Sequence, residues 1–164
     1  MPPKFYELDP RLFMRGHTRH FSTPQFLHLL QDHNIKMVVN VAIIKDRYLE
    51  GACRTIGMTY RHEPMSDGSK IDIARVVDLA TEVAKNMDFY GVLVHCDSGW
   101  NRSALICCLA LMRHRVMSAK QAIDHVRSVR PGALRNQTFL KFLQEGVIQM
   151  LMNQQVGGYE AEES

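Results

Sequence analysis

The run Gly91-Val-Leu-Val-His-Cys96 constrains this chain more than any other segment. It is short, almost wholly apolar and rich in valine, as expected of a central strand covered on both faces. Asp97-Ser-Gly-Trp-Asn-Arg-Ser103 follows at once, and the apolar stretch from Ala104 to Met112 then predicts a helix over about Arg102 to Arg113. Strand, tight loop and helix in this order form an anion-binding arrangement, because backbone N–H groups of the turn and of the helix start can point at one centre.

The flanking segments predict an α/β domain. Thr23-Pro24 reads as an N-cap and first helical position, with Phe26, Leu27, Leu29 and Leu30 on one face and an end near Asn34. Lys36 to Ala42 reads as a buried strand, Asp46 to Arg54 as a helix, and Met58 to His62 as a shorter strand. Ile71, Ala74, Val77, Ala80, Val83 and Met87 recur at helical spacing and predict a helix over about Lys70 to Met87. After the central run come helices at Ser118 to Ser128, opened by a Ser118/Gln121 capping box, and at Asn136 to Met152. Alternation of strand and helix predicts one domain over residues 1–155, with a central, mostly parallel sheet of about four to five strands flanked by helices. Residues 156–164, with Gly157-Gly158 and terminal acids, read as a disordered acidic tail.

A chain of 164 residues with 46% hydrophobic content can bury one sizeable core. A formal net charge of +3 without a Lys/Arg run argues against a nucleic-acid partner. The opening Met1 to Pro10 has no apolar signal core, and no stretch is long enough to span a bilayer, so a soluble cytoplasmic monomer without a membrane partner is expected. Cys53, Cys96, Cys107 and Cys108 lack C-x-x-C spacing, and His17 with His20 is the only close histidine pair, so neither a disulfide framework nor a metal site is expected.

The loop's chemistry follows from its residue types. Gly99 suits a turn needing unusual backbone angles, and Arg102, six residues after Cys96, can return to the same centre and grip two phosphate oxygens with its planar fork. The loop dipoles and the arginine stabilise a thiolate there, making Cys96 a nucleophile at neutral pH. Ser103 can donate a hydrogen bond to the sulfur and ease its departure. His95 reads as a brace for the loop rather than a base.

His95-Cys-Asp-Ser-Gly-Trp-Asn-Arg-Ser103 matches H-C-x-x-G-x-x-R-S and resembles the active-site loop of cysteine-based protein tyrosine phosphatases. Leu12 onward, Val38 to Ala42, Met58 to Tyr60, Val92 to Val94 and Arg130 to Phe142 look like the compact dual-specificity branch, so the resemblance covers about residues 8–150. It implies that Asp97, Ser98, Gly99, Trp100, Asn101 and Arg102 bind the phosphate, without a cofactor. It also implies a general acid from a loop before the helix that leads into the central strand, and Asp67 is the matching residue. Geometry agrees: a helix of about eighteen residues descends about 27 Å and a strand of about six climbs back about 20 Å, which returns the loop at Glu63 to Ser69 near Cys96. Asp72 is the rival, read otherwise as a dipole-complementing residue of the first helical turn. Asn136 resembles a position that helps hold the loop, although an N-cap is the simpler reading.

The expected function is hydrolysis of phosphotyrosine, with phosphoserine and phosphothreonine left open, in a phosphorylated protein through a phosphocysteine intermediate. A phosphatase of phosphoinositides or RNA 5′ phosphates is the alternative, disfavoured because the loop supplies no extra cation and Asp97 adds a negative charge near the mouth. A non-catalytic phosphate-binding module is a third reading. Cys53 is a candidate disulfide partner for Cys96, Cys107 and Cys108 read as core, and Trp100 either stands at the pocket rim or packs against a neighbouring loop.

Overall fold

The computed structural model describes residues 5–15 and 23–146. In chain order the elements are β1 (Phe5–Asp9), β2 (Leu12–Arg15), α1 (Thr23–Asp32), β3 (Ile35–Asn40), α2 (Arg47–Thr55) and β4 (Thr59–His62). They continue with α3 (Ile73–Asn86), β5 (Gly91–His95), α4 (Arg102–His114), α5 (Ala119–Val129) and α6 (Gln137–Lys141), which runs into a π-helical turn at Phe142–Gly146. The strands form one sheet in the order β1-β2-β5-β3-β4, parallel throughout except for the antiparallel β1/β2 pair. The apolar run before the loop is thus the middle strand.

Side-chain alternation along these strands explains the two covered faces. Leu12, Met14, Met37, Val39, Val92 and Val94 join a layer built with α3, α4 and α5. Phe13, Val38 and Leu93 point the other way and meet Phe26 and Leu30 of α1 and Leu49 and Cys53 of α2. Ile35 sits in this second layer although its parity with Met37 would put it in the first; a register shift between the two residues against β5 accounts for the change. α4 has no polar face, and every residue from Arg102 to Met112 is buried. It carries the loop's far end on the most enclosed helix of the domain.

Most expected elements are present, with shifted ends. α1 stops at Asp32, and Asn34 takes the left-handed conformation (φ 53°) as the chain turns into β3. α3 starts at Ile73 because the Asp72 side chain accepts the Arg75 backbone N–H and caps it. The Ser118/Gln121 capping box of α5 forms reciprocally, at 3.1 and 2.9 Å. The β1/β2 hairpin was not expected. Its strands are short and separated by Pro10, and β2 becomes a strand by pairing Leu12 to Arg15 with Val92 to His95. The expected extension of the last helix from 147 to 152, the acidic tail and the His17/His20 pair lie outside the described residues.

Candidate active site

β5 ends at His95 and delivers Cys96 into the loop. Neighbouring β3 is tied to that strand end by Val41 N–H donating to the His95 carbonyl at 2.9 Å. Cys96 is buried. Its Sγ accepts the Gly99 backbone N–H at 3.2 Å and lies 3.2 Å from Ser103 Oγ. Gly99 takes φ 73°, which turns its N–H onto the sulfur and which a side chain would resist. Arg102, the first residue of α4, lies beneath the loop, with Nη2 donating to Asp97 Oδ2 at 3.0 Å and Nη1 to the Met65 carbonyl at 3.2 Å. The thiol and the inward Gly99 amide thus meet directly, while the guanidinium is held by Asp97, the residue next to Cys96, and by the Met65 carbonyl.

The loop before α3 reaches the same place. Glu63 N–H and Met65 N–H bond to the carbonyls of Asn40 and Val41, which lays this loop across the end of β3. Arg75 bonds to Glu63 at 2.6 Å and Arg61 bridges Glu63 and Glu82, and the Arg75 hydrogen bond, aided by Arg61 against some burial, holds the Glu63 carboxyl below the usual range. At the tip, Asp67 accepts hydrogen bonds from Asn101 Nδ2 at 3.0 Å and Asn136 Nδ2 at 2.8 Å. Asp67 is thus fastened to the cysteine loop itself, whereas Asp72 is occupied as the α3 cap.

His95 is buried, and its Nε2 has no hydrogen-bond partner among the described residues. Burial first, and the positive charge of Arg15 second, push its pKa down to about 4, so the ring is neutral near pH 7. Arg15, on the paired strand, stacks its guanidinium 4.6 Å from the Phe26 ring centre. Beside the cysteine runs a groove of about 620 Å³, with Cys96 and Asp97 on one wall and Ile44, Lys45, Arg47 and Tyr48 on the other. Asn40 shapes that second wall by donating to the Ile44 carbonyl and the Tyr60 hydroxyl while accepting the Ala42 N–H.

A family model for the dual specificity phosphatase catalytic domain matches residues 19–147. The chain belongs to the dual specificity phosphatases. Dual specificity phosphatase 28 of Mus musculus is 33% identical over 146 residues, which cover 88% of this chain and 84% of that protein. Human dual specificity protein phosphatase 2 is 31% identical over 147 residues, 88% of this chain but 44% of that longer protein. The crystal structure of a mouse protein assigned as a dual specificity phosphatase, in complex with zinc tungstate, superposes with a TM-score of 0.76 at 30% identity, covering 95% of this chain and 93% of that one. The chain is accordingly a cysteine-dependent phosphatase that acts on phosphorylated proteins.

Sequence reasoning passed over the strongest external brace of this phosphatase's loop. Arg130, the C-cap of α5, donates through Nε to the Gly99 carbonyl at 3.2 Å and through Nη2 to the Ser98 carbonyl at 3.1 Å, with Nη1 on the Tyr6 hydroxyl. By holding the outward carbonyls, Arg130 favours the orientation in which loop amides face inward. The same guanidinium lies 3.8 Å from the Trp100 ring centre, and Arg135 covers that ring at 4.7 Å. Leu134 N–H caps the Trp100 carbonyl at 2.7 Å. Trp100 thus packs against neighbouring segments, as one of its two readings had it. The only sequence signal for Arg130 was its place in the family-like stretch before Asn136.

Three further expectations can be refined. Asn136 Oδ1 accepts Phe139 N–H as the α6 N-cap, its Nδ2 reaches Asp67 and the Gly68 carbonyl of the loop before α3, and its backbone N–H meets the cysteine loop at Asn101 Oδ1, 2.9 Å. Cys53 lies in the α1/α2 core layer and Cys96 in the other, both as free thiols, and burial with the nearby Asp46 charge pushes the Cys53 thiol up to about 11. Asp97 does not simply add negative charge at the mouth, because it is paired with Arg102; and although the loop itself has no extra cation, Lys45 and Arg47 reach the groove from another segment.

Proposed function

We propose that this phosphatase removes phosphate from phosphotyrosine, and from phosphoserine and phosphothreonine, through a phosphocysteine intermediate. The observation that supports this reading is the tie between Asp67 and Asn101 of the cysteine loop, which joins a carboxyl group, a proton donor when protonated, to the loop whose buried sulfur is bonded to Gly99 N–H and lies against Ser103. Arg102 and the loop amides hold the phosphate oxygens and stabilise the charge that builds on them during transfer. The Cys96 thiolate attacks phosphorus opposite the ester oxygen, the P–O bond breaks, and Asp67 gives its proton to the departing oxygen. Asp67 then takes a proton from the water that attacks the phosphocysteine. The sulfur leaves as thiolate, stabilised by Ser103 Oγ and Gly99 N–H.

Every group in these steps comes from one chain, which supports a monomer as the working unit. A mechanism that needs a free Cys96 thiol fits a reducing compartment, so we place the activity in the cytoplasm. Asp97 against the phosphate-binding arginine disfavours a polyanionic phosphoinositide or RNA end at the loop itself, while Lys45 and Arg47 bring positive charge to the groove beside it. The test is turnover of an aryl phosphate and of phosphopeptides by wild type, Cys96→Ser and Asp67→Ala. Cys96→Ser is expected to lose turnover, and activity surviving in it rejects the covalent route. Asp67→Ala is expected to slow alkyl and peptide substrates by about 10²-fold or more, and substrates with a good leaving group much less.

A further inference from the structure

The residue after the nucleophile is paired with the arginine of the loop. Asp97 Oδ2 accepts from Arg102 Nη2 at 3.0 Å, while Arg102 Nη1 is taken by the Met65 carbonyl and Nε has no hydrogen-bond partner among the described residues. Each outer nitrogen of the fork thus has one of its two N–H groups engaged. The Asp97 side chain is about half exposed and Arg102 about one-tenth, so the pair joins a solvent-facing carboxylate to a largely buried guanidinium.

We propose that Asp97 is an internal competitor for the phosphate group and thereby a specificity-determining residue of this site. A carboxylate satisfies one arm of the arginine fork much as a phosphate oxygen does. Binding substrate therefore breaks the Asp97–Arg102 pair and leaves the Asp97 charge close to the incoming dianion. Both effects weaken the hold on free phosphate and on any ligand whose negative charge is concentrated at the loop. A phosphoester whose attached group makes its own contacts in the groove along Ile44 and Tyr48 offsets the loss, and inorganic phosphate cannot. The site thus favours a phosphoester that also occupies the groove over free phosphate, and it releases its phosphate product readily. The inference rests on Arg102 being the phosphate-binding arginine of the proposed function.

The experiment measures the inhibition constant of inorganic phosphate, with p-nitrophenyl phosphate as substrate, for wild type, Asp97→Asn and Asp97→Ala, and repeats it with tungstate as a second oxyanion. Both variants are expected to bind phosphate about tenfold more tightly, since one nearby, partly screened charge and one competing hydrogen bond are removed. A loop merely damaged by substitution binds phosphate more weakly, so the sign separates competition from structure. An unchanged or raised inhibition constant in both variants overturns the inference, and two variants guard against one failing to fold. If neither oxyanion inhibits the wild type and Arg102→Ala does not change that, the reading of the phosphate site itself fails instead.

Discussion

Asp67 and Asp72 differ by five positions, and only side-chain partners distinguish them. Asp67 faces two amide donors, Asn101 and Asn136, from segments 34 and 69 residues away. Asp72 faces the backbone of its own helix. Asp72→Ala is therefore expected to cost about 1 kcal/mol of stability, as loss of an N-cap does, and to leave turnover as it was. Asn136→Ala removes a cap and one of the two ties on Asp67. It is expected to slow poor leaving groups by about tenfold and good ones by less than twofold. Thermal melts with kinetics on one aryl and one alkyl phosphate check both, and a leaving-group-dependent loss in Asp72→Ala would reverse the assignment of the acid.

At the scale of elements, the loop is clamped between two layers of support. From inside, α4 holds Arg102 and Ser103 on a helix with no exposed face in its first eleven residues. From outside, the α5 C-terminus brings Arg130 to the carbonyls of Ser98 and Gly99 and stacks it on Trp100 and Tyr6. A planar fork makes these bonds and the stacking together, which an ammonium group cannot reproduce. Arg130→Lys and Arg130→Ala are both expected to lower kcat/KM by about 10- to 100-fold. The loss should fall on oxyanion affinity as well as rate, because the amides of the loop lose their inward aim. Equal phosphate binding in Arg130→Ala and wild type would show that the brace is dispensable.

Across the whole molecule, His95 links the site to the fold. It ends the central strand, sits buried beside Arg15 and is held neutral, with its pKa at about 4 against an ordinary 6.5. The folded state therefore binds this proton less readily than the unfolded chain. Stability from this source is complete above about pH 6.5 and declines as the pH falls toward about 4, by on the order of 3 kcal/mol in full. Urea melts of wild type and His95→Gln between pH 7 and pH 4.5 check this. The wild type is expected to lose stability more steeply with acid, and parallel curves would show that His95 does not carry the loss.

The central strand, the loop and the helix that follows were legible because their signals are local: an apolar run, a glycine for a left-handed turn, an arginine at a fixed offset. The order of strands and helices and the cap of α5 were legible for the same reason, since propensity and side-chain periodicity act over a few residues. The β1/β2 hairpin was not, because β2 gains its stability by pairing with β5, more than seventy residues away, and β1 pairs only with β2. Arg130 on the loop carbonyls, Asn136 on Asp67 and Asp97 on Arg102 depend on which polar atoms meet once helices have packed. Sequence by itself singled out Cys96, Arg102 and Asp67 and determined the α/β frame. Only the tertiary structure decided what Asp67 is bonded to, what braces the loop and what pairs with Arg102, since hydrogen-bond partners are chosen by distance in space and not along the chain.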